Sequence, residues 1–137
     1  MKYVLFFIMI FFHIVDDFYL QSLGTGVLAK LKQKSWWKEN YPDRLYVNDY
    51  KIALMIHGFS WAFMILLPLL VYYTVVGCTY QFYVLYAVLL ILNTLIHAAI
   101  DDQKANKLRI NLIADQVLHF IQITYTYGFL TFAYLFC

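Results

Sequence analysis

Four long runs of apolar residues dominate this chain and limit the folds that it can adopt. They cover approximately residues 3–20, 52–76, 80–100 and 110–136, and each is close to or above the roughly 20 residues with which an α-helix crosses a bilayer. Because 64% of the 137 residues are hydrophobic and only 13% are charged, one soluble core of this size could not bury the apolar surface. We therefore predict an all-α fold: a single integral membrane domain, residues 1–137, built as a bundle of four transmembrane helices.

A polar segment, residues 21–50, separates the first two runs. It is too charged to span a bilayer and is rich in Lys, Trp and Tyr. From Val27 to Trp37, apolar residues are interleaved with lysines, a pattern typical of a short amphipathic helix that lies on a lipid surface. An ordinary solvated loop explains the same residues equally well, so the sequence leaves both interpretations open.

The positive charges predict how the chain is oriented. Nine of the ten Lys and Arg residues lie between the first and second runs or between the third and fourth. The positive-inside rule places those loops in the cytoplasm, with both termini outside and the protein in the inner (plasma) membrane. The first run is interpreted as an uncleaved span, because no small-residue signal-peptide cleavage site follows it. Membrane lipid is the expected partner, and a net charge of +2 gives no indication of nucleic-acid binding.

The two cysteines, Cys78 and Cys137, do not form a metal-binding motif. In the predicted topology both lie at the outer face, where an oxidising compartment would permit a disulfide. Two unpaired thiols are an equally good interpretation. The sequence also leaves open whether the chain forms a homo-oligomer.

The four histidines of the chain all fall in or beside predicted spans, and three have an aspartate four residues away. The pairs are His13 with Asp17, His97 with Asp101, and Asp115 with His119. A spacing of four places both side chains on one helix face, about one turn apart. The order is reversed in the fourth span, which runs opposite to the first and third. The aspartates are therefore predicted to form one layer near the cytoplasmic boundary and the histidines a second layer about 6 Å deeper, joined by His57 from the second span.

Ionisable side chains at this depth are unfavourable, by about 2.5 to 3.5 kcal/mol for a central aspartate on insertion scales. Any one membrane histidine is more often a helix–helix hydrogen-bonding group than a ligand, but the recurrence across four helices favours a divalent metal centre, with zinc expected and manganese or iron as alternatives. Two ions bridged by a carboxylate are the natural arrangement. The predicted ligands are His13, Asp17, His57, His97, Asp101, Asp115 and His119.

A metal centre of this kind activates water and stabilises a phosphoryl group during displacement, which predicts a hydrolase. Asp17, Asp101 and Asp115 are the candidate catalytic carboxylates, one of which would act as general base. Gln21, Gln116 and Lys104 are candidates for orienting ligands or binding an anionic substrate, although solvated boundary positions explain them equally well. Asp16 and Asp102 lie about 100° round the helix from the site face and are expected to be interfacial or to support the ligands from outside.

A family resemblance rests on four motifs: HIVDDFYLQ, HGFSW, HAAIDDQK and DQVLH. They resemble the bacterial and phage membrane proteins grouped as domain-of-unknown-function family 3307, whose hallmark is an HxxxDFxxQ opening and a DQxxH near the end. The resemblance covers nearly the whole chain, and the residues that carry it are His13, Asp17, Phe18, Gln21, His97, Asp101, Asp115, Gln116 and His119. The chain departs from the pattern in its extra Asp16 and its aromatic richness. It is also distantly similar to membrane-bound metal-dependent hydrolases, which implies a lipid or lipid-linked phosphoester substrate by analogy.

Two other classes of function remain as alternatives. Buried His and Asp chains also relay protons, so the chain could be an ion or proton pathway protein. This alternative predicts polar groups that continue to the outer leaflet, where spans two and three offer little beyond Thr74 and tyrosines. The other alternative is a non-enzymatic, holin-like phage membrane protein, in which the polar residues only hold helices together.

Overall fold

The structure is a computed structural model that describes residues 2–21 and 23–133, and within those ranges the chain is helical with no strand. Helix α1 (Lys2–Ile14) continues directly into a π-helical turn, Val15–Leu20. Two short helices follow, α2 (Leu23–Leu31) and α3 (Lys34–Asn40), and then a 3-10 turn, Arg44–Tyr46. Three long helices complete the described chain: α4 (Asp49–Val76), α5 (Tyr80–Ala105) and α6 (Leu112–Ala133).

Three segments of the described chain are long and apolar enough to cross a membrane: Tyr3–Leu20, Arg44–Val76 and Tyr80–Ala105. Helix α6 is not among them, because Asp115, Gln116, His119 and Gln122 lower the hydropathy of its first half. The all-helical, membrane-compatible fold is therefore confirmed, whereas the fourth span stays a prediction. The end of that predicted span and Cys137, whose pairing with Cys78 the sequence left open, lie outside the described residues.

The bundle has its polar residues inside and many apolar residues outside. Large apolar side chains face outward, for example Phe7, Val75 and Phe129, which are 67%, 82% and 62% exposed. All four histidines are instead buried, and so are Asp16, Asp101 and Asp115. This distribution is the one expected of a protein whose surroundings are lipid.

Helix α4 lies between α1 and α5, and α6 packs on α5 and on α1. A small-residue contact allows α4 and α5 to approach closely at Gly58. A Cβ at this position would lie 2.7 Å from the backbone oxygen of Thr94 and 3.3 Å from Cβ of Ala98. Small residues at such crossings let membrane helices pack backbone against backbone. Because Gly58 follows His57 and Ala98 follows His97, this contact brings two imidazoles together.

The predicted amphipathic helix from Val27 to Trp37 is two helices, α2 and α3, separated at Lys32–Gln33, where Gln33 is extended. Lys30 is exposed and Lys34 is half-buried, but Lys32 is only 6% exposed. The helical interpretation of this segment is therefore correct in part. Its position on a lipid surface stays a prediction.

Candidate metal centre

The seven predicted ligands converge at one place in the bundle. Six of them are buried, and Asp17 is half-buried as a residue with a 6% exposed side chain. They come from every long helix and from the π-helical turn. We call this set the polar centre: His13, Asp17, His57, His97, Asp101, Asp115 and His119.

One group of three ligand atoms fits a metal ion closely. The Nε2 atoms of His57 and His97 are 3.0 Å apart. Oδ1 of Asp17 lies 3.3 Å from Nε2 of His57 and 3.8 Å from Nε2 of His97. Ligands at about 2.1 Å from a tetrahedral ion lie about 3.4 Å from one another. The three separations bracket that value, so Asp17, His57 and His97 form a candidate ligand group.

A second group overlaps the first and contains His97, Asp101 and His119. Oδ1 of Asp101 lies 3.8 Å from Nε2 of His97 and 3.6 Å from Nε2 of His119. Its other oxygen, Oδ2, lies 3.5 Å from Nε2 of His57. The carboxylate of Asp101 therefore faces both groups and is the residue that could bridge two ions. His97 belongs to both groups, but one ring nitrogen coordinates only one ion.

His13 lies beside these groups and takes part in neither. Nε1 of Trp61 donates a hydrogen bond to its Nδ1 at 2.7 Å. Since the indole N–H can only donate, Nδ1 is the acceptor and Nε2 carries the proton. Nε2 lies 3.1 Å from Oε1 of Gln116, to which it donates. Both ring nitrogens are thus engaged in hydrogen bonds, and in this geometry His13 orients its neighbours.

Asp115 also lies outside both groups. Its Oδ2 accepts hydrogen bonds from Nζ of Lys104 at 2.5 Å and from Nε2 of Gln116 at 3.1 Å. Its Oδ1 has no hydrogen-bond partner in the described chain and lies 3.4 Å from Nε2 of His119. One oxygen of this carboxylate is held in place, and the other faces the centre.

Gln21, Gln116 and Lys104, the predicted orienting or anion-binding residues, all contact the polar centre. Nε2 of Gln21 donates to Oδ1 of Asp17 at 3.2 Å and lies 2.9 Å from Nε2 of His57. Gln116 connects His13 to Asp115, and Lys104 pairs with Asp115. Their positions fit an orienting role, which stays a prediction.

Of the two expectations for Asp16, the buried position beside His57 fits the one in which it supports a ligand from outside, and it excludes an interfacial position. Asp16 is 1% exposed, accepts a 2.6 Å hydrogen bond from Oγ of Ser60, and has its Oδ2 3.4 Å from Nδ1 of His57. The reason is the π-helical turn Val15–Leu20, whose i→i+5 hydrogen bonding changes the angular spacing assumed for an α-helix. Asp102, by contrast, pairs with Lys107 at 2.8 Å and has no contact with the centre among the described residues.

Aromatic stacking fixes the plane of two imidazoles. The ring of His97 stacks against both Trp61 and His119, with each ring centroid 4.2 Å away and interplanar angles of 20° and 27°. Trp61 and His119 also contact each other, with centroids 5.4 Å apart. Trp61 therefore restrains His97 by stacking and His13 by hydrogen bonding. Trp61 lies four residues after His57, so helical spacing alone could have placed it on the same face of α4 as that histidine.

Lys32 is the functional candidate that sequence reasoning missed. It lies in a charged segment in which nothing in the spacing distinguishes it from Lys30 or Lys34. In the structure its Nζ donates to Oδ2 of Asp101 at 2.5 Å, inside the bundle. Only the fold, which brings the residue after α2 to Asp101 of α5, identifies it.

Buried polar atoms without a hydrogen-bond partner are concentrated in and beside the polar centre. Within the described chain they include Nδ1 of His97, both ring nitrogens of His119, Oδ1 of Asp115 and Oδ2 of Asp16. Such atoms are rare in native proteins and call for an explanation. Unpaired imidazole nitrogens and carboxylate oxygens are metal-binding atoms, so the donor set fits a divalent cation.

A smaller polar cluster lies next to the polar centre, on the side of the histidines away from Asp101. Oδ1 of Asn93 accepts hydrogen bonds from Gln122 at 2.8 Å and from Thr126 at 3.0 Å. We call Asn93, Gln122 and Thr126 the deeper cluster. Asn93 lies one helical turn from His97 in α5, so buried polar groups continue past the histidines by about one turn.

Comparison with protein-family models, with curated proteins and with solved structures finds no match for this chain. The resemblance carried by the sequence motifs stays a prediction.

Proposed function

We propose that the polar centre binds a divalent metal ion and that the protein is a membrane-embedded, metal-dependent hydrolase of a lipid or lipid-linked phosphoester at the cytoplasmic face. The observation that carries this proposal is the pair of overlapping ligand groups that share His97. Zinc is the first choice for imidazole and carboxylate ligands, with manganese or iron as alternatives.

The charge of the centre supports a divalent ion. Asp16, Asp17, Asp101 and Asp115 carry four negative charges when ionised, and Lys32 and Lys104 carry two positive charges. With neutral histidines the net charge is −2, which one divalent cation balances. Uncompensated charge is unfavourable in a buried site, so this balance favours one ion at rest. A second ion would require Asp101 to bridge and an anionic substrate to restore neutrality.

The chemistry follows from the ligands and their neighbours. A bound divalent ion supplies water activation and stabilises charge on phosphoryl oxygens. Asp115 is the carboxylate best placed to accept a proton, because Lys104 and Gln116 hold its Oδ2 while its Oδ1 faces the centre without a partner. Asp16 supports Nδ1 of His57 in the way that a carboxylate commonly orients a metal-binding imidazole.

The proposed membrane arrangement has four spans, with α6 as the fourth, and places α2 and α3 at the cytoplasmic interface. Most outward-facing residues of α6 are apolar or aromatic, among them Ile113 at 74% and Tyr125 at 74% exposure. In a variant with Cys78→Ser and Cys137→Ser, a Lys38→Cys substitution should react with an impermeant maleimide only in inside-out vesicles. Labelling only in right-side-out vesicles would reverse the orientation.

The metal proposal is tested by two neighbouring aspartates. Asp101→Asn removes a carboxylate of the centre, whereas Asp102→Asn makes the same change at a residue paired with Lys107 outside it. Zinc content is measured in protein purified in nanodiscs, after equilibration with zinc and gel filtration. We expect about one equivalent for wild type and Asp102→Asn and at least a tenfold weaker affinity for Asp101→Asn. Less than half an equivalent in the wild type, or equal affinity in both variants, would reject the metal centre.

Hydrolysis is tested separately from metal binding. Zinc- or manganese-loaded protein should release inorganic phosphate from phosphatidic acid or farnesyl diphosphate in mixed micelles, and Asp115→Asn should lower kcat by about 100-fold or more. A protein that binds metal but releases no phosphate from either probe would retain the metal centre and lose the hydrolase proposal.

One observation favours the ion or proton pathway as a second candidate. The deeper cluster continues the row of polar groups beyond the histidines. On the side of the deeper cluster away from the polar centre, however, the buried residues are apolar or aromatic, for example Leu69, Phe82 and Leu130. Proton flux in liposomes that is abolished by His57→Ala would favour this candidate over the hydrolase.

A further inference from the structure

Lys32 brings an ammonium group from the segment between α1 and α4 into the interior of the bundle. Its side chain is 8% exposed, and its Nζ donates to Oδ2 of Asp101. Taking a lysine out of water is unfavourable unless its charge is compensated, and a single ion pair often fails to recover that loss. The position of this group therefore calls for a function beyond holding α2 in place.

Other contacts already fix α2 and α3 on the bundle. Nδ2 of Asn106 donates to the carbonyl oxygen of Lys32 at 3.1 Å, and the backbone N–H of Lys34 donates to Oδ1 of Asn106 at 2.7 Å. One amide thus satisfies the free carbonyl at the end of α2 and the free N–H at the start of α3. Trp37 packs against Tyr50, Leu54 and Ala98 and donates to the carbonyl of Leu31 at 2.8 Å. These contacts position the Lys32 backbone without any help from its ammonium group.

The ammonium of Lys32 has spare hydrogen-bonding capacity. It has three N–H donors, and within the described chain it donates to one acceptor, Asp101. That acceptor, Oδ2, is also 3.5 Å from Nε2 of His57, so Nζ of Lys32 can be no more than about 6 Å from this candidate metal ligand. With metal–oxygen bonds of about 2 Å and charge-assisted hydrogen bonds of about 2.8 Å, one phosphoryl group can touch both an ion and Nζ.

We propose that Lys32 binds the phosphoryl group of the substrate, which makes the α2–α3 junction one wall of the active site. This inference rests on the proposed function and adds a substrate-binding residue to it. Lys104, 36% exposed and paired with Asp115, provides a second cation on another carboxylate of the centre. Two ammonium groups beside a metal site select an anionic phosphoester over a neutral ester.

The test compares two lysines of the same segment. Lys32→Met keeps the length of the side chain and removes its charge, and Lys32→Arg keeps the charge. Lys34→Met is the matched control, because Lys34 lies outside the centre with its Nζ 5.9 Å from the ring of Tyr50. Zinc content, binding of inorganic phosphate by calorimetry, and KM and kcat with phosphatidic acid are measured for each protein in nanodiscs.

We expect Lys32→Met to keep its zinc within about twofold, to bind phosphate at least tenfold more weakly, and to raise KM more than it lowers kcat. Lys32→Arg should recover part of the phosphate affinity, and Lys34→Met should match the wild type. Should Lys32→Met not fold, Lys32→Gln takes its place with the same expected results.

Two outcomes would overturn this inference while leaving the metal-dependent hydrolase standing. One is unchanged phosphate affinity in zinc-loaded Lys32→Met. The other is loss of zinc in that variant to the same extent as loss of phosphate binding, which would give Lys32 a structural role on Asp101. Failure of the proposed function is recognised differently, in the wild type itself, which would then hold no zinc or would release no phosphate.

Discussion

Replacing Gly58 by alanine should force α4 and α5 apart at the level of the polar centre. The new methyl carbon would lie 2.7 Å from the backbone oxygen of Thr94, whereas ordinary contact begins at 3.4 Å. The oxygen would have to retreat by about 0.7 Å, and because it belongs to the backbone of α5 the helix must move with it. The side chains next to this contact are His57 and His97, whose Nε2 atoms are 3.0 Å apart.

The size of the effect follows from this displacement. Overpacking of a well-packed interior usually lowers the free energy of unfolding by about 1 to 3 kcal/mol, which for a chain of this length lowers the apparent Tm by roughly 5 to 10 °C. A shift of several tenths of an ångström between two ligand nitrogens should also weaken zinc binding by about 10- to 100-fold, the range seen when supporting contacts of metal ligands are lost.

Gly128 provides the control for this substitution. It lies in α6, and a Cβ there would meet no atom of the described residues within 4 Å apart from the backbone of its own helix. Gly128→Ala should leave the apparent Tm unchanged or raise it slightly, since alanine favours a helix by up to about 1 kcal/mol. Thermal unfolding and zinc titration in the same detergent measure both variants. If Gly58→Ala matched Gly128→Ala in both assays, the close α4–α5 contact could not be what sets the spacing of the imidazoles.

Three further substitutions test separate parts of the structure. Trp61→Phe keeps an aromatic ring but loses the N–H that donates to His13. The free energy of unfolding should therefore fall by about 1 to 3 kcal/mol, and zinc affinity should fall about tenfold. Denaturation and zinc titration curves identical to those of the wild type would contradict this. Asn106→Ala removes both amide contacts to the α2–α3 junction, so trypsin should cleave there at least about fivefold faster. The control is Asn40→Ala, because the Asn40 side chain bonds to its own helix. This variant should be cleaved at the wild-type rate. Asn93→Leu removes the acceptor of the deeper cluster and should lower the apparent Tm by a few degrees with zinc content unchanged; a parallel loss of zinc would show that the cluster and the centre act as one unit.

The membrane class and the His–Asp pairs could be predicted from the sequence because both depend on local properties. Mean apolarity over about 20 residues identifies a membrane-length helix, and the helical repeat puts residues four apart on one face. His97 and Asp101, in α5, keep this relation in the structure, with Nε2 and Oδ1 3.8 Å apart. The fourth helix also formed where the sequence placed it, although its polar residues keep it below the apolarity of the other three.

The π-helical turn is a feature of the backbone that the sequence pattern did not predict. A uniform α-helical repeat predicts that Asp16 points away from the site face, but the wider turn at Val15–Leu20 brings it to His57 and Ser60. An apolar run does not reveal which backbone hydrogen-bond pattern will form in it. The turn is stabilised by the contacts of its carboxylates with α4, which exist only in the folded bundle.

The sequence alone determined the membrane-compatible apolarity of the chain, its helices and the spacing of acids and imidazoles along each helix. The tertiary structure decided which of these groups meet. Lys32 pairs with Asp101, 69 positions away. Trp61 orients His13 through a hydrogen bond, and the Nε2 atoms of His57 and His97 lie 3.0 Å apart. Backbone hydrogen bonding repeats at short range and therefore leaves a period in the sequence. Contacts between distant residues depend on how helices pack, for which a single small residue such as Gly58 can be decisive.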